Sequence, residues 1–493
     1  MKQILFLLLL ASIAIGASSK PNVIFFVMDD LNDWVGPMGY KQVKTPNLDR
    51  LAKQGLTFAN AHAPGVFCAP SRTAIFTGLQ ASTTGCYDTE VFFYDYPELM
   101  SIQMAFKAAG YDAYGAGKLY HHRSGYVDLR GWNEYFARSQ EVKDMAYEQN
   151  SYHMTDVPLP DPYPYSPYYR GTGRDGRSAL HLEWGPIANE EEDLMTDAMR
   201  TNWMVDVLKR KHDKPFFLAL GMYSPHYPNY APQKYFDMYD RDAIELPPYK
   251  DDDLDDLPPA IKKFYSNRKK QHDEIVGYGA LKDALHGYFA AISFGDAMLG
   301  RLLDALDESP HKDNTIVIFW SDQGFHHGEK GHWGKHSLWQ RTSNVPFIWA
   351  GPGIAKNEKV KTTVGLIDIY PTLKELCNLP VDTPFDGVSL AKVLKNPAQA
   401  RDRDVMVPHA NRGSYAVVNS NWRYISYEDG TEELYNIKAD PNEWDNLAGN
   451  PELASIKEKM KQSAPEKFAP SATNKNTLNL VVDGDTFRWE PKK

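Results

Sequence analysis

Apolar residues come in two textures along this chain. Up to about residue 400 they form unbroken runs: Val23-Ile24-Phe25-Phe26-Val27-Met28, Pro215 to Gly221, Thr315 to Ser321 and Phe347 to Ala350. A run without polar alternation predicts a strand buried on both faces, as in a parallel sheet covered by helices. Shorter strands are expected at Gly55–Phe58 and Tyr111–Gly115. Between them, helical patterns run through Thr45–Ala52, residues 101–109, Glu190–Lys209 and Leu281–Leu306, and Asp368 to Leu373 opens another helix. Beyond residue 400 the runs shorten and alternate: Val405–Val407, Ser414–Val418, Trp422–Ser426 and Glu433–Tyr435 predict a small antiparallel sheet. The fold class is α/β, with a large domain over 20–400 and an α+β unit over 401–493. Two stretches break the pattern. Residues 139–187 are polar and aromatic, with Tyr163, Tyr165, Tyr168, Tyr169, Arg170, Arg174 and Arg177 among glycines and prolines, and read as a surface loop insertion. Residues 239–274 are charge-dense and contain prolines, so irregular solvated structure is expected there.

Composition narrows the class. The 493 residues are 42% hydrophobic and 24% charged, ordinary for a globular protein. A net charge of −10 argues against a nucleic-acid binder, so a polyanionic ligand must be drawn by a local basic pocket. Residues 1–19 read as a secretory signal: Lys2, an apolar stretch from Ile4 to Ile15, then Gly16-Ala17-Ser18-Ser19. That stretch is short for a membrane span, and no later one is long enough, so no stable membrane insertion is expected. The expectation is export, periplasmic or secreted. With no Asn-x-Ser/Thr sequon, a glycosylated lysosomal protein is disfavoured. There are three cysteines, Cys68, Cys86 and Cys377. If Cys68 is reactive, at most one disulfide, Cys86–Cys377, remains.

The candidate chemistry sits at the ends of the apolar runs. Val23–Met28 ends in Asp29-Asp30, and Thr315–Ser321 ends in Asp322-Gln323-Gly324. Open α/β sheets place ligands at such strand ends. Adjacent carboxylates there are either a solvated turn or ligands to a divalent cation, since two anions side by side repel. Lys118 and His121 follow another strand; the pair is either surface decoration or an anion holder with a proton shuttle. His226 follows a third, in Ser224-Pro225-His226. His326, His327, Glu329 and His332 fit no common zinc spacing and read as loop polar groups. Cys68 precedes Ala69-Pro70-Ser71-Arg72, where Pro70 suits a first helical turn, Ser71 can cap and Thr73–Thr77 can run on as helix. A cysteine at that point meets free N–H groups, the helix dipole and the Arg72 cation.

Cys68-x-Pro70-Ser71-Arg72, with Thr77-Gly78 behind it, resembles the signature of the type I sulfatases. Lys118-x-x-His121 and Ser224-Pro225-His226 resemble the iduronate-2-sulfatase branch, and Leu434 to Glu443 resembles the family's C-terminal segment. The resemblance covers nearly the whole chain after the signal. It implies an alkaline-phosphatase-like fold: a large mixed sheet sandwiched by helices, with a smaller C-terminal antiparallel sheet. It implies that a maturation enzyme oxidises Cys68 to formylglycine, whose hydrated aldehyde is the nucleophile. It implies one calcium ion, held by Asp29, Asp30, the modified Cys68, Asp322 and Gln323. Gln323 departs from the Asn or His of many relatives but still offers a carbonyl oxygen. Arg72 would stabilise the nucleophile, and Lys118, His226 and Lys335 would hold the sulfate. His226, or less so Lys335, would protonate the leaving alcohol, and His121 would act as base in sulfate release. A sulfated poly- or oligosaccharide is the expected substrate, with His409 and Arg412 as candidate sugar contacts. The alternatives are a phosphoester or phosphonate hydrolase of the same superfamily and a catalytically silent carbohydrate-binding relative.

Overall fold

The computed structural model describes residues 20–121, 127–136, 169–171, 177–179, 182, 184–483 and 486–493. The expected signal at 1–19 and the side chains of Tyr163, Tyr165, Tyr168, Tyr169, Arg170, Arg174 and Arg177 lie outside the described residues.

A nine-stranded mixed sheet forms the centre. Across it the order is Glu358–Val360, Gly55–His62, Asn344–Ala350, Thr315–Ser321, Asn22–Met28, Phe216–Gly221, Asp112–Gly117 and Glu134–Tyr135, with Val364–Gly365 beside Gly55–His62. The strand Asn22–Met28 is parallel to both neighbours, and Phe216–Gly221 is parallel to Asp112–Gly117. Asn344–Ala350 runs against both of its neighbours. Alternate side chains of the central strand enter opposite cores, which is why its sequence is apolar throughout. Val23, Phe25 and Val27 pack with Ile75, Phe76, Phe106 and Leu373, from the helices Cys68–Thr77, Ile102–Ala108 and Ile369–Cys377. Ile24, Phe26 and Met28 pack with Leu48, Met204 and Ile292, from the helices Pro46–Gln54, Thr196–Lys209 and Leu281–Glu308.

Register aligns the parallel strand ends. Met28 pairs with Ser321, Val27 with Gly221, and Gly221 with Gly117. Gly117 and Gly221 permit this closeness: a Cβ on Gly117 (φ +72) would lie 2.0 Å from the Gly221 carbonyl oxygen. Four strands thus deliver their next residues to one place.

Val405–Pro408, Tyr415–Val418, Arg423–Ser426 and Glu432–Tyr435 form the small antiparallel sheet. One face meets Val66, Leu254, Tyr265 and Trp339 of the larger part; the other is closed by Met460. The chain then returns to the larger part. Ala469, Ala472 and Lys475 donate backbone hydrogen bonds to Ser82, Gly85 and Thr89 at 2.8–3.0 Å.

The structure corrects three local expectations. Residues 259–277 form a helix; Pro259 occupies its first turn, where a proline costs no hydrogen bond, and Ile261, Tyr265, His272 and Ile275 supply its inner face. The stretch 139–187 contains backbone strands at Tyr169–Gly171, Arg177–Ala179 and Trp184–Ile187, the last paired with Asn229–Pro232. The helix at Cys68 starts at that residue, with Phe67 preceding it, so Ser71 lies within the helix and does not cap it.

Candidate active site

The aligned strand ends converge on Cys68. Its Sγ lies 3.1 Å from Lys335 Nζ, 3.6 Å from Gln323 Nε2, 3.7 Å from Lys118 Nζ and 4.0 Å from Asp30 Oδ1. Arg72, one helical turn on, is fully buried and bridges two strand ends: Nη2 donates to Asp29 Oδ1 at 2.9 Å and Nε to Asp322 Oδ2 at 2.8 Å. Its third donor bonds the Lys118 carbonyl. Lys118 Nζ donates to the other oxygen of Asp29. Lys335 Nζ reaches Asp30 at 2.7 and 3.0 Å, and His226 Nε2 stands 3.6 Å from Asp30 Oδ2. Asp30 has left-handed backbone (φ 61), uncommon for a non-glycine residue. The Tyr288 hydroxyl donates to its carbonyl at 2.9 Å and its own N–H donates to Asp322 at 3.2 Å, which fixes that conformation.

Burial sets the electrostatics. It pushes Asp29 up, but Lys118 and Arg72 outweigh it and hold that carboxyl well below its ordinary value. Asp30 is raised by burial and by Asp29, despite Lys335. Asp322 is pushed up to about 7 by burial and its neighbouring carboxylates, against the pull of Arg72. Burial and Asp29 raise the Cys68 thiol to about 12, so the cysteine itself is a weak nucleophile at neutral pH. Burial disfavours a charge on Lys335, yet Asp30 and Cys68 hold its ammonium well above the ordinary value. His121 is driven well down, by burial and then by Lys475, Lys118 and Lys335.

The donor set fits a hard divalent cation. Asp29, Asp30, Cys68 and His226 bring ligand atoms within 4.8 Å of one another, and Asp322 and Gln323 border them. Gln323 Oε1 is buried and accepts no hydrogen bond from the described residues. An orphan carbonyl oxygen beside carboxylates that raise one another is the oxygen-rich environment calcium or magnesium selects.

The sequence-derived residues Asp29, Asp30, Cys68, Arg72, Lys118, His226, Asp322, Gln323 and Lys335 therefore share one site. His121 is half-buried beside the Phe67 ring, at 5.9 Å, and its Nδ1 has no hydrogen-bond partner among the described residues. His409 lies at the edge, its Nε2 bonded to the His336 carbonyl at 3.2 Å. Arg412 is exposed, and its guanidinium donates to the Phe468 carbonyl at 2.6 and 3.2 Å. Cys86 and Cys377 are free thiols. His326, His327 and His332 are all buried around the short hairpin His326–His327/Trp333–Gly334. Sequence reasoning missed the supports. Ser71 Oγ donates to the Asp322 carbonyl at 2.5 Å. Asp197 accepts the Tyr223 and Ser224 N–H groups at 2.9 Å, anchoring the segment that presents His226. Asp197 stands second in a helix, and no local pattern links it to residues 223–224.

A family model described as sulfatase matches residues 21–379. The chain belongs to the sulfatase family. It is therefore a sulfuric ester hydrolase, and the family implies a metal site, for which the acidic cluster is the candidate. A second model, described as N-sulphoglucosamine sulphohydrolase, C-terminal, matches residues 328–468. A sulfatase of Formosa agariphila is 36% identical over 463 residues, 91% of this chain and 87% of its own length. Human iduronate 2-sulfatase is 30% identical over 351 residues, 67% of this chain and 60% of its own length. The solved phosphonate monoester hydrolase of Silicibacter pomeroyi superposes with a TM-score of 0.72 at 18% identity, over 96% of this chain and 99% of that one. At that identity the likeness concerns the fold alone, which is the expected alkaline-phosphatase-like sulfatase fold: a large mixed sheet with a smaller antiparallel one.

Proposed function

We propose that this sulfatase removes sulfate from a sulfated poly- or oligosaccharide, using a formylglycine made from Cys68 and one bound calcium. The observation that carries the reading is the setting of Cys68: a thiol raised to about 12 by burial and Asp29, yet placed between two ammonium groups. Such a site suits an anionic group arriving from outside better than a thiolate formed in place. An aldehyde hydrate at position 68 would supply the attacking oxygen. Asp29, Asp30, Asp322 and Gln323 would hold calcium, which supplies Lewis acidity and balances their charge.

The chain's own residues do the rest. Arg72 is locked between Asp29 and Asp322, so its charge stays beside position 68. Lys118, after the strand Asp112–Gly117, and Lys335, after Trp333–Gly334, face the same point and, with His226, hold sulfate oxygens as charge shifts in the transition state. A sugar alkoxide is a poor leaving group, so a proton must reach the departing oxygen. His226 is the donor, with Lys335 as the alternative. His121, kept neutral by burial and the surrounding lysines, takes up the proton during sulfate release. The human relative's name, iduronate 2-sulfatase, and the export pattern at residues 1–19 support an extracytoplasmic carbohydrate substrate. A formylglycine-generating enzyme would be the maturation partner. Mass spectrometry of the peptide containing Cys68 from active enzyme tests the modification: an intact thiol would exclude it. Parallel assays on aryl sulfate, aryl phosphate and sulfated oligosaccharides test the chemistry; faster phosphate cleavage would favour the phosphoester alternative.

A further inference from the structure

Arg268 lies on the helix Pro259–Gly277, which packs against residues 329–331 and 333–334 just before Lys335. Its guanidinium stacks over the Phe264 ring at 4.7 Å. Its Nη1 is 3.9 Å from where a Cβ on Gly334 would stand. Gly334 directly precedes Lys335, whose Nζ is 3.1 Å from Cys68 Sγ. His332 Nε2 bonds the Lys335 carbonyl at 3.0 Å. His336 follows, with its ring 4.9 Å from that of Phe67, the residue before Cys68, and its carbonyl bonded to His409. Arg268, His332, His336 and His409 thus border one side of the site.

What sets Arg268 apart is the lack, among the described residues, of a carboxylate partner. Other partly buried arginines are matched. Arg130 pairs with Asp128, Arg301 with Glu192 and Asp193, and Arg341 with Asp33 and Glu329. Burial weakens the Arg268 charge, and only the Tyr265 hydroxyl opposes that. After burial itself, its field helps to keep His332, His336 and His409 neutral. A half-buried guanidinium without an anion is unfavourable unless a ligand completes it.

We infer that Arg268 is a specificity residue that binds a second anionic substituent, a carboxylate or a further sulfate, on the saccharide whose scissile sulfate lies at Cys68. The inference rests on the sulfatase reading above and deepens it: the substrate is a polyanionic saccharide. The planar fork of arginine matches either anion with two parallel hydrogen bonds.

The test measures kcat/KM for wild type, Arg268→Gln and Arg268→Lys on an aryl sulfate, a sulfated uronate disaccharide and a disulfated neutral disaccharide. Arg268→Gln is expected to lower the saccharide-to-aryl ratio by about 10- to 100-fold, chiefly through KM. Arg268→Lys, which keeps the charge but not the fork, should recover part of it. A loss confined to the uronate identifies a carboxylate; one confined to the disulfate identifies a sulfate. An unchanged ratio on both saccharides overturns the inference, as does an equal loss on all three substrates. Aryl sulfate hydrolysis by wild type reports separately on the sulfatase reading. Calorimetric binding of both disaccharides to wild type and Arg268→Gln repeats the comparison without turnover, and equal affinities would overturn the inference there too.

Discussion

Two buried charge clusters in this molecule differ in one respect. Beneath the C-terminal sheet, Glu433 accepts hydrogen bonds from Trp339, Tyr427 and Tyr435 at 2.6–2.9 Å. Beside it, Arg423 faces Glu443 at 2.7 Å and donates to the Leu338 carbonyl at 2.9 Å. Around Cys68, three carboxylates meet Arg72, Lys118 and Lys335, so formal charges balance. Yet, among the described residues, Gln323 Oε1 and His121 Nδ1 have no partner there. In the first cluster Arg423 Nε and Glu443 Oε1 also lack a hydrogen bond, but they face each other as an ion pair at 2.7 Å. The second is arranged for groups the chain does not supply. Buried polar atoms that face no opposite charge, more than a count of charges, mark the working cluster.

The sharpest way to break that contrast is Cys68→Ser. It should cost about 10⁴-fold or more in turnover while leaving the urea midpoint unchanged; full activity would remove Cys68 from the mechanism. Glu433→Ala should do the reverse. It strands three buried donors and is expected to cost about 3–5 kcal/mol in urea unfolding, with kcat per folded molecule retained. Lys335→Ala should lower kcat/KM about 10²- to 10³-fold and destabilise less than Glu433→Ala. If instead it costs more stability than Glu433→Ala, the site is no more open than the other cluster. Calcium should stabilise the protein by about 2.7 kcal/mol at a hundredfold excess over its Kd. Chelation should remove that gain, and Gln323→Leu should weaken it in thermal melts.

The remaining effect concerns pH. Burial, followed by Arg268 for His332 and Lys335 for His336, lowers these two histidines to about 3. The unfolded chain protonates them near the ordinary value of about 6.5, so between pH 6.5 and 3 it binds more protons than the folded one. Stability should therefore fall as pH drops below about 6.5, by up to ~1.4 kcal/mol per pH unit for each histidine. Melting curves from pH 7 to 5 check this. Replacing either histidine by Gln should flatten the slope.

The candidate site was legible because its residues sit at strand ends. Asp29-Asp30 and Asp322-Gln323 follow the two most apolar runs, and a parallel register brings such ends together without fine detail. The helix Pro259–Gly277 was not legible, because its charges and prolines suggest solvent; packing of Ile261, Tyr265 and Ile275 decided otherwise. Ser71 read as a cap by residue type, yet its hydroxyl was drawn to the Asp322 carbonyl, 251 positions away.

Sequence by itself determined the layered α/β class, the apolar strands, the short antiparallel sheet and the acids, cations and thiol that end the strands, because period and residue type are local properties. Tertiary structure alone decided which of those groups meet. Packing of helices and the hairpin His326–His327/Trp333–Gly334 on the strand ends sets Lys335 3.1 Å from Cys68, threads Arg72 between Asp29 and Asp322, and leaves Arg268, among the described residues, without a carboxylate partner. Those outcomes depend on contacts between residues distant in the chain, which no local pattern encodes.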